Sequence, residues 1–161
     1  TENSQDVWKN KYPYLSSVKD FDKNNPKLRW KKNFSNKELI NLFPKIGGIK
    51  NIEILNITST GRVKNVKLIG AYGSDHMSGV DLRKRLSLNS NFMRFKFFEE
   101  ELNDTFTNKK GLTVFGRGSG HGVGMSQWGA KYMASRGQKA GKILKHFYRG
   151  VQIKPFKKDF I

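Results

Sequence analysis

Apolar residues along these 161 positions fall into short runs of two periods, one near two and one near three and a half. Ile52, Ile54 and Ile57, then Val63, Val66, Leu68 and Ile69, flank Ser59-Thr60-Gly61-Arg62, which predicts two strands joined by a glycine turn. Phe92, Phe95, Phe97 and Phe98 predict a buried strand, Asn103 to Gly111 a polar loop, and Thr113 to Ser119 a further strand. Helical spacing begins where Ser35-Asn36-Lys37-Glu38 precedes Leu39, Ile40, Leu42 and Phe43. This is a capping box opening an amphipathic helix, with Pro44 and Gly47-Gly48 as the stop. Val80, Leu82, Leu86 and Leu88 predict a short helix started by Ser78. Two more are predicted over 126–136 and 139–148, ended by Gly137 and Gly150, with Val151 to Pro155 closing as an edge strand. Residues 1–30 show no period; Pro13, Pro26, Trp8, Tyr12, Tyr14, Phe21 and Trp30 make them an irregular, aromatic-pinned segment. Helices interspersed with hairpin-connected strands predict an α+β fold, a largely antiparallel sheet with short helices packed on it. With no internal repeat and no domain-scale linker, 1–161 reads as a single domain.

Composition supports a folded core, with 36% hydrophobic and 12% aromatic residues. The absence of cysteine removes disulfides and thiolate metal sites and leaves the redox compartment open. No stretch approaches the roughly 20 apolar residues of a membrane span, and Thr1 opens no signal peptide. A formal charge of +18, from 31 basic against 13 acidic residues, implies attraction to a polyanion: nucleic acid, anionic lipid or an anionic wall polymer. The basic residues are spread over the chain, with short clusters at Lys31/Lys32, Lys109/Lys110 and Lys157/Lys158. Diffuse charge favours adhesion over sequence reading, and no helix-turn-helix or RNA-binding signature accompanies it, so a nucleic-acid partner is not expected.

The most informative segment is Phe115 to Ala130, FGRGSGHGVGMSQWGA, with glycine at 116, 118, 120, 122 and 124. In an extended strand, alternate glycines strip one face, so another backbone or a flat ligand can approach closely. Arg117, Ser119, His121 and Val123 then share the opposite face, just before a helix N-terminus. The spacing matches neither a dinucleotide fingerprint nor a phosphate loop: His121, Val123 or Met125 falls where a third glycine is needed, and no Gly-Lys-Ser/Thr ends the run.

The run GRGSGHGVGMSQWGAKYMASRGQKAGKILKHFYRGVQI, from Gly116 to Ile153, resembles the C-terminal signature of the stage II sporulation protein D family, which includes amidase-enhancer proteins. Weaker echoes are DVWK at 6–9, PYL at 13–15 and SGVDLRKRLSLNSNFMRF at 78–95. The resemblance implies peptidoglycan glycan strands as substrate and lytic transglycosylase activity during forespore engulfment. It places the protein outside the cytoplasm, at the cell wall or the outer membrane face of a spore-forming bacterium. Other engulfment or amidase proteins are implied as partners. In that chemistry one carboxylic acid protonates the glycosidic oxygen; its carboxylate then helps the muramic hydroxyl close a 1,6-anhydro ring, by the acid and base logic of glycosidases. No cofactor is required. The family's catalytic glutamate belongs to an upstream helix of the type E-x-x-A-L-K-A-Q-A-V-A-A-R, absent from this sequence. The expectation is therefore the C-terminal part of a longer catalytic domain, supplying substrate binding and inactive alone, with any membrane association through the missing upstream segment. The alternative is a noncatalytic peptidoglycan-binding or amidase-modulating module.

Among the residues, His121 is the possible auxiliary catalytic group, contacting sugar or orienting the glutamate, and the reading in which it pins the glycine loop stays open beside it. Arg117 is a candidate clamp for a lactyl or stem-peptide carboxylate. Ser119, Gln127 and Arg83 are candidate groove residues, Arg83 also as an anchor of its short helix. Trp128 and Tyr132 stand four apart on one helix face, as a sugar platform or a core stripe. Ser126 reads as a helix cap, Met125 and Met133 as core, His146 as a surface or packing histidine, and His76 as a loop residue. Glu38 belongs to its capping box, and Glu99 to Glu101 form a solvated strand end. Three histidines without HExxH or cysteine give no expected metal site.

Overall fold

A computed structural model describes residues 1–154 apart from Lys9, Lys23, Asn24, Lys27, Asn103 and Asp104; between 102 and 108 the description is of the backbone. In chain order the elements are α1 (Ser4–Val7), β1 (Arg29–Phe34), α2 (Asn36–Leu42), a 3-10 turn (Pro44–Ile46), β2 (Asn51–Ile57), β3 (Val63–Ile69) and β4 (Ser74–Ser78). Then follow α3 (Gly79–Arg85), β5 (Met93–Leu102), β6 (Thr105–Arg117), α4 (Gln127–Ser135) and α5 (Ala140–Phe147). This is the expected α+β class, with antiparallel sheets and short helices. The chain forms two compact units, one from residues 26–121 and one from 1–25 together with 122 onward.

The 26–121 unit contains two three-stranded antiparallel sheets, ordered β1-β6-β5 and β2-β3-β4. Its core draws Leu39 from α2, Val66 and Leu68 from β3, Leu82 from α3, and Leu112 and Val114 from β6, all fully buried. Each such side chain contributes about 1.5–3 kcal/mol relative to exposure. The Ser35 box caps α2 as the sequence predicts: the Ser35 hydroxyl accepts from Glu38 N while the Glu38 carboxylate accepts from Ser35 N at 2.7 Å. These bonds from Ser35 hold the Glu38 carboxyl below the usual range. Left-handed Gly47 (φ 70°) stops the following turn. The predicted β2–β3 hairpin and the Ser78-capped α3 also form.

Three local expectations fail for identifiable reasons. Residues 105–111 are not a loop but the first half of β6, because Glu99 faces Lys110 and Phe98 faces Gly111 across the hairpin. A Cβ at Gly111 would lie 2.2 Å from the Phe98 ring, so only glycine lets that ring cross the strand; Asn103 and Asp104 of the predicted loop lie outside the described residues. β1 and β4 carry too few apolar residues to announce themselves, and His76 consequently sits in β4 rather than in a loop. Residues 151–154 form no edge strand, and Pro155, Lys157 and Lys158 lie outside the described residues.

In the other unit, the opening segment is laced to residues 12–18: Ser4 Oγ accepts from Tyr12 N, Asn3 Oδ1 from Ser17 N, and Leu15 O from Ser4 N. Its core is Val18, Met133, Ile143 and Phe147, with Phe21, Ala130 and Tyr148 at the margin. Met133 is thus core, but Met125 is 40% exposed, because it precedes the helix instead of joining its buried stripe. His146 is satisfied, its Nε2 2.8 Å from Lys19 O and its ring edge-on to Phe147.

Trp30 lies opposite Gly116 in the β1–β6 register, and its indole crosses the bare backbone there. A Cβ at Gly116 would meet the ring at 1.9 Å. Gly116→Ala is therefore expected to lower unfolding free energy by about 1–3 kcal/mol through overpacking, read from urea denaturation; an unchanged midpoint contradicts this packing.

Candidate functional site

The glycine run does not continue as an extended strand. β6 ends at Arg117, and Gly118, Gly120, Gly122 and Gly124 all take left-handed φ, at 70°, 78°, 82° and 81°. Nothing lies within 4 Å of a Cβ built on Gly118 or Gly120, so backbone conformation, not close approach, demands glycine there. Close approach governs Gly116 alone among these three. Since the pleat stops at Arg117, strand alternation does not put Arg117, Ser119, His121 and Val123 on a common face. The first three are exposed, whereas Val123 is buried.

Within the 26–121 unit, the loop is fastened through its main chain. Gly118 N donates to Leu28 O at 2.7 Å, Trp30 Nε1 donates to Gly118 O at 2.9 Å, and Gly120 N donates to Asn89 O at 2.8 Å. Residues 88–91 form the other side of this arrangement. Ser90, wholly buried, donates its hydroxyl to Arg117 O at 2.6 Å and pairs in parallel with Gly120. Asn91, also buried, donates to Val63 O and receives Arg62 Nη1 on its Oδ1 at 3.1 Å. Arg62 Nη1 also reaches Gly120 O at 3.4 Å, and Arg83 Nε donates to Leu88 O at 3.2 Å. Half-buried Arg62 is thus anchored at the residue preceding His121, and half-buried Arg83 at Leu88, next to Asn89 whose carbonyl holds Gly120.

His121 has a lowered pKa, first because surrounding protein displaces part of its water, then because Arg83 and Arg62 repel a proton. The ring remains exposed, so it is a neutral, reachable imidazole at neutral pH. Arg83 is both helix anchor and electrostatic neighbour of His121. Arg62, Ser90 and Asn91 were not legible as site residues, because they are distant in sequence and carry no motif. The one available signal for Arg62 was its place in the glycine turn between β2 and β3.

The remaining candidates belong to the other unit. Ser126 caps α4 as expected, its hydroxyl accepting from Gly129 N at 3.0 Å, and Gln127 is exposed in the first turn. Gly129 admits the Asp20 carboxylate, which a Cβ would meet at 2.1 Å. Tyr132 stacks on Phe21 at 5.5 Å and 15°, and Arg136 lies 5.5 Å from its ring. Trp128 is half-buried with Lys131 Nζ 4.8 Å from its ring. The sequence reading overlooked Glu2. It is 1% exposed and pairs with the glycine run through Glu2 N to Gly122 O at 2.9 Å and a parallel bridge to Val123. Glu100 is more than a solvated strand end, since its Oε1 accepts from Asn36 N at the start of α2. Among the described residues no three His, Asp or Glu side chains gather as a metal site.

Two measurements check this geometry. Gly120→Ala places an L-residue at φ 78° with no steric neighbour, so urea denaturation should show a loss of only ~1–2 kcal/mol, the cost of left-handed strain; a larger loss contradicts the open surroundings. Because the folded pKa of His121 lies below its unfolded value, the unfolded chain binds more protons, and this contribution to stability is complete above the unfolded pKa and declines as pH falls toward the folded one. Arg83→Gln should move the His121 midpoint upward in an NMR titration; a midpoint that does not move contradicts the arrangement.

No protein-family model matches this chain. Curated relatives do. Stage II sporulation protein D of Bacillus subtilis is 35% identical over 155 residues, covering 95% of this chain and 41% of that protein. The stage II sporulation protein D of Bacillus amyloliquefaciens is 34% identical over 155 residues, with the same coverage of 95% and 41%. The amidase enhancer of Bacillus subtilis is 28% identical over 204 residues, covering 95% of this chain and 28% of that protein. The chain spans about two fifths of the length of the two sporulation relatives. The similarity to stage II sporulation protein D runs through nearly all of this chain, 95% of it, the glycine loop included.

Proposed function

We propose that this chain is the glycan-binding part of a peptidoglycan lytic transglycosylase acting in sporulation, with the catalytic glutamate supplied by polypeptide outside it. The observation that carries the reading is the fastened glycine loop, which presents a neutral, exposed His121 beside two anchored arginines. His121 acts there as auxiliary hydrogen-bonding partner to sugar or to the incoming glutamate. Gln127, Trp128 and Tyr132 are further proposed sugar contacts, and Arg117 and Ser119 line the loop. The +18 charge suits an anionic wall polymer, and in this reading the chain acts on the outer side of the cytoplasmic membrane. No helix among the described residues is long and apolar enough to cross a membrane, so in this reading membrane association arises elsewhere in the polypeptide.

A second reading, a noncatalytic wall-binding or amidase-modulating module, is favoured by the state of several carboxylates. Glu38 and Asp81 cap helices, Glu100 meets the Asn36 amide, and Glu2 is buried. Glu38, Asp81 and Glu100 are thus already engaged as hydrogen-bond partners of helix starts. The amidase enhancer relative points the same way by name.

The experiment incubates purified glycan strands with this chain alone, and with this chain plus the upstream segment of the full-length protein, and scores 1,6-anhydromuramic ends by mass spectrometry. Ends from the mixture alone are expected, reduced about tenfold by His121→Gln as a lost hydrogen bond to a charged or developing-charge group. Ends from this chain alone contradict the assignment of the acid. No ends from either, with wall binding retained and amidase accelerated, establish the second reading.

A further inference from the structure

The short segment from Leu88 to Asn91 does more than support the loop. Leu88 O holds Arg83 Nε, Asn89 O holds Gly120 N, Ser90 pairs with Gly120, and Asn91 Oδ1 holds Arg62. Four consecutive residues therefore fix two guanidinium groups relative to one stretch of main chain. We infer that Arg62 and Arg83 together form a subsite for a carboxylate, at the base of the glycine loop. The identity of its ligand, a carboxylate carried on wall glycan or its peptide, rests on the reading above.

Why a carboxylate, when glycine-rich loops usually hold phosphate? A phosphate nest needs free backbone amides. Here Gly118 N and Gly120 N are spent on Leu28 O and Asn89 O. What remains is the forked geometry of guanidinium groups, which matches the two coplanar oxygens of a carboxylate. Among the described residues, Arg83 uses Nε alone, leaving Nη1 and Nη2 to engage a ligand. Both arginines are half-buried, which strengthens a charge-assisted bond over its value in water, and both stems are already tethered, which reduces the entropy lost on binding. His121 has its pKa lowered first by burial and then by the charges of Arg83 and Arg62, which are therefore both close enough to act on one ring. Arg117, the sequence-level candidate for this task, is exposed and lies at the strand end.

The test is a binding titration followed through the His121 ring resonances, using four probes: N-acetylmuramic acid, N-acetyl-D-alanine, N-acetylglucosamine and inorganic phosphate. One or both carboxylates should shift His121 saturably and raise its titration midpoint, with N-acetylglucosamine silent. Response to the sugar acid alone assigns a lactyl carboxylate; response to the acylamino acid alone assigns a peptide carboxylate. Arg83→Gln should weaken binding about tenfold, with Arg83→Lys between it and wild type. Arg62→Gln should do the same, but it also breaks the Asn91 bond, so Arg83 is the decisive position. The inference is overturned by equal shifts from N-acetylglucosamine and N-acetylmuramic acid, by undiminished carboxylate affinity in a folded Arg83→Gln protein, or by phosphate binding tighter than either carboxylate. No bond is cleaved in this assay, so failure of the transglycosylase reading and failure of the subsite are separately visible.

Discussion

Left-handed backbone at alternate glycines is the constraint from which the candidate site follows. An L-residue in that region costs roughly 1–2 kcal/mol, so repeating it at positions 118, 120, 122 and 124 leaves glycine as the residue of choice. The consequence is a chain that departs from the β6 ladder while its amides still find carbonyl partners at Leu28 and Asn89. With the N–H groups of Gly118 and Gly120 spent on carbonyls, these two glycines leave a ligand the side chains beside them rather than their own amides. That separates the loop physically from the phosphate loops whose composition it shares.

The charge of the molecule is handled in the same economical manner. Several cations lie over aromatic rings: Lys32 over Phe34 at 5.1 Å, Arg85 over Phe43 at 5.3 Å and Lys131 over Trp128 at 4.8 Å. Such placements let a chain of net charge +18 cover its apolar margins with the stems of basic residues. At Arg62 and Arg83 the guanidinium groups are anchored on carbonyl and amide oxygens instead. Partial burial first, and the charges of Arg83 and Arg62 second, keep the His121 imidazole neutral at neutral pH, and a neutral ring can accept as well as donate a hydrogen bond.

Features governed by local chemistry were readable from the sequence. Ser35 and Glu38 announce a helix start, Ser78 and Ser126 announce two more, and Gly61 marks the turn of a hairpin. Features governed by cross-strand partnership were not. Nothing within residues 105–111 says that Lys110 will face Glu99, or that Gly111 exists to admit Phe98. The glycine run was misread as extended because alternation by two is also the signature of a strand, and only φ distinguishes the cases. His121 was legible as a candidate because little side-chain cover is available among glycines. Its arginine neighbours were legible less well, since Arg62 and Arg83 are brought there by Asn91 and Leu88, through contacts that no motif encodes.

On the proposed reading, wall glycan meets this chain at the loop from Gly118 to His121, with Arg62 and Arg83. The most direct measurement is amide and side-chain NMR mapping of the labelled chain against a purified peptidoglycan disaccharide-repeat oligomer. Saturable shifts are expected at Gly118, Ser119, Gly120, His121 and the Arg62 and Arg83 guanidinium signals. Shifts confined to the exposed face of β2, with this loop silent, would contradict it.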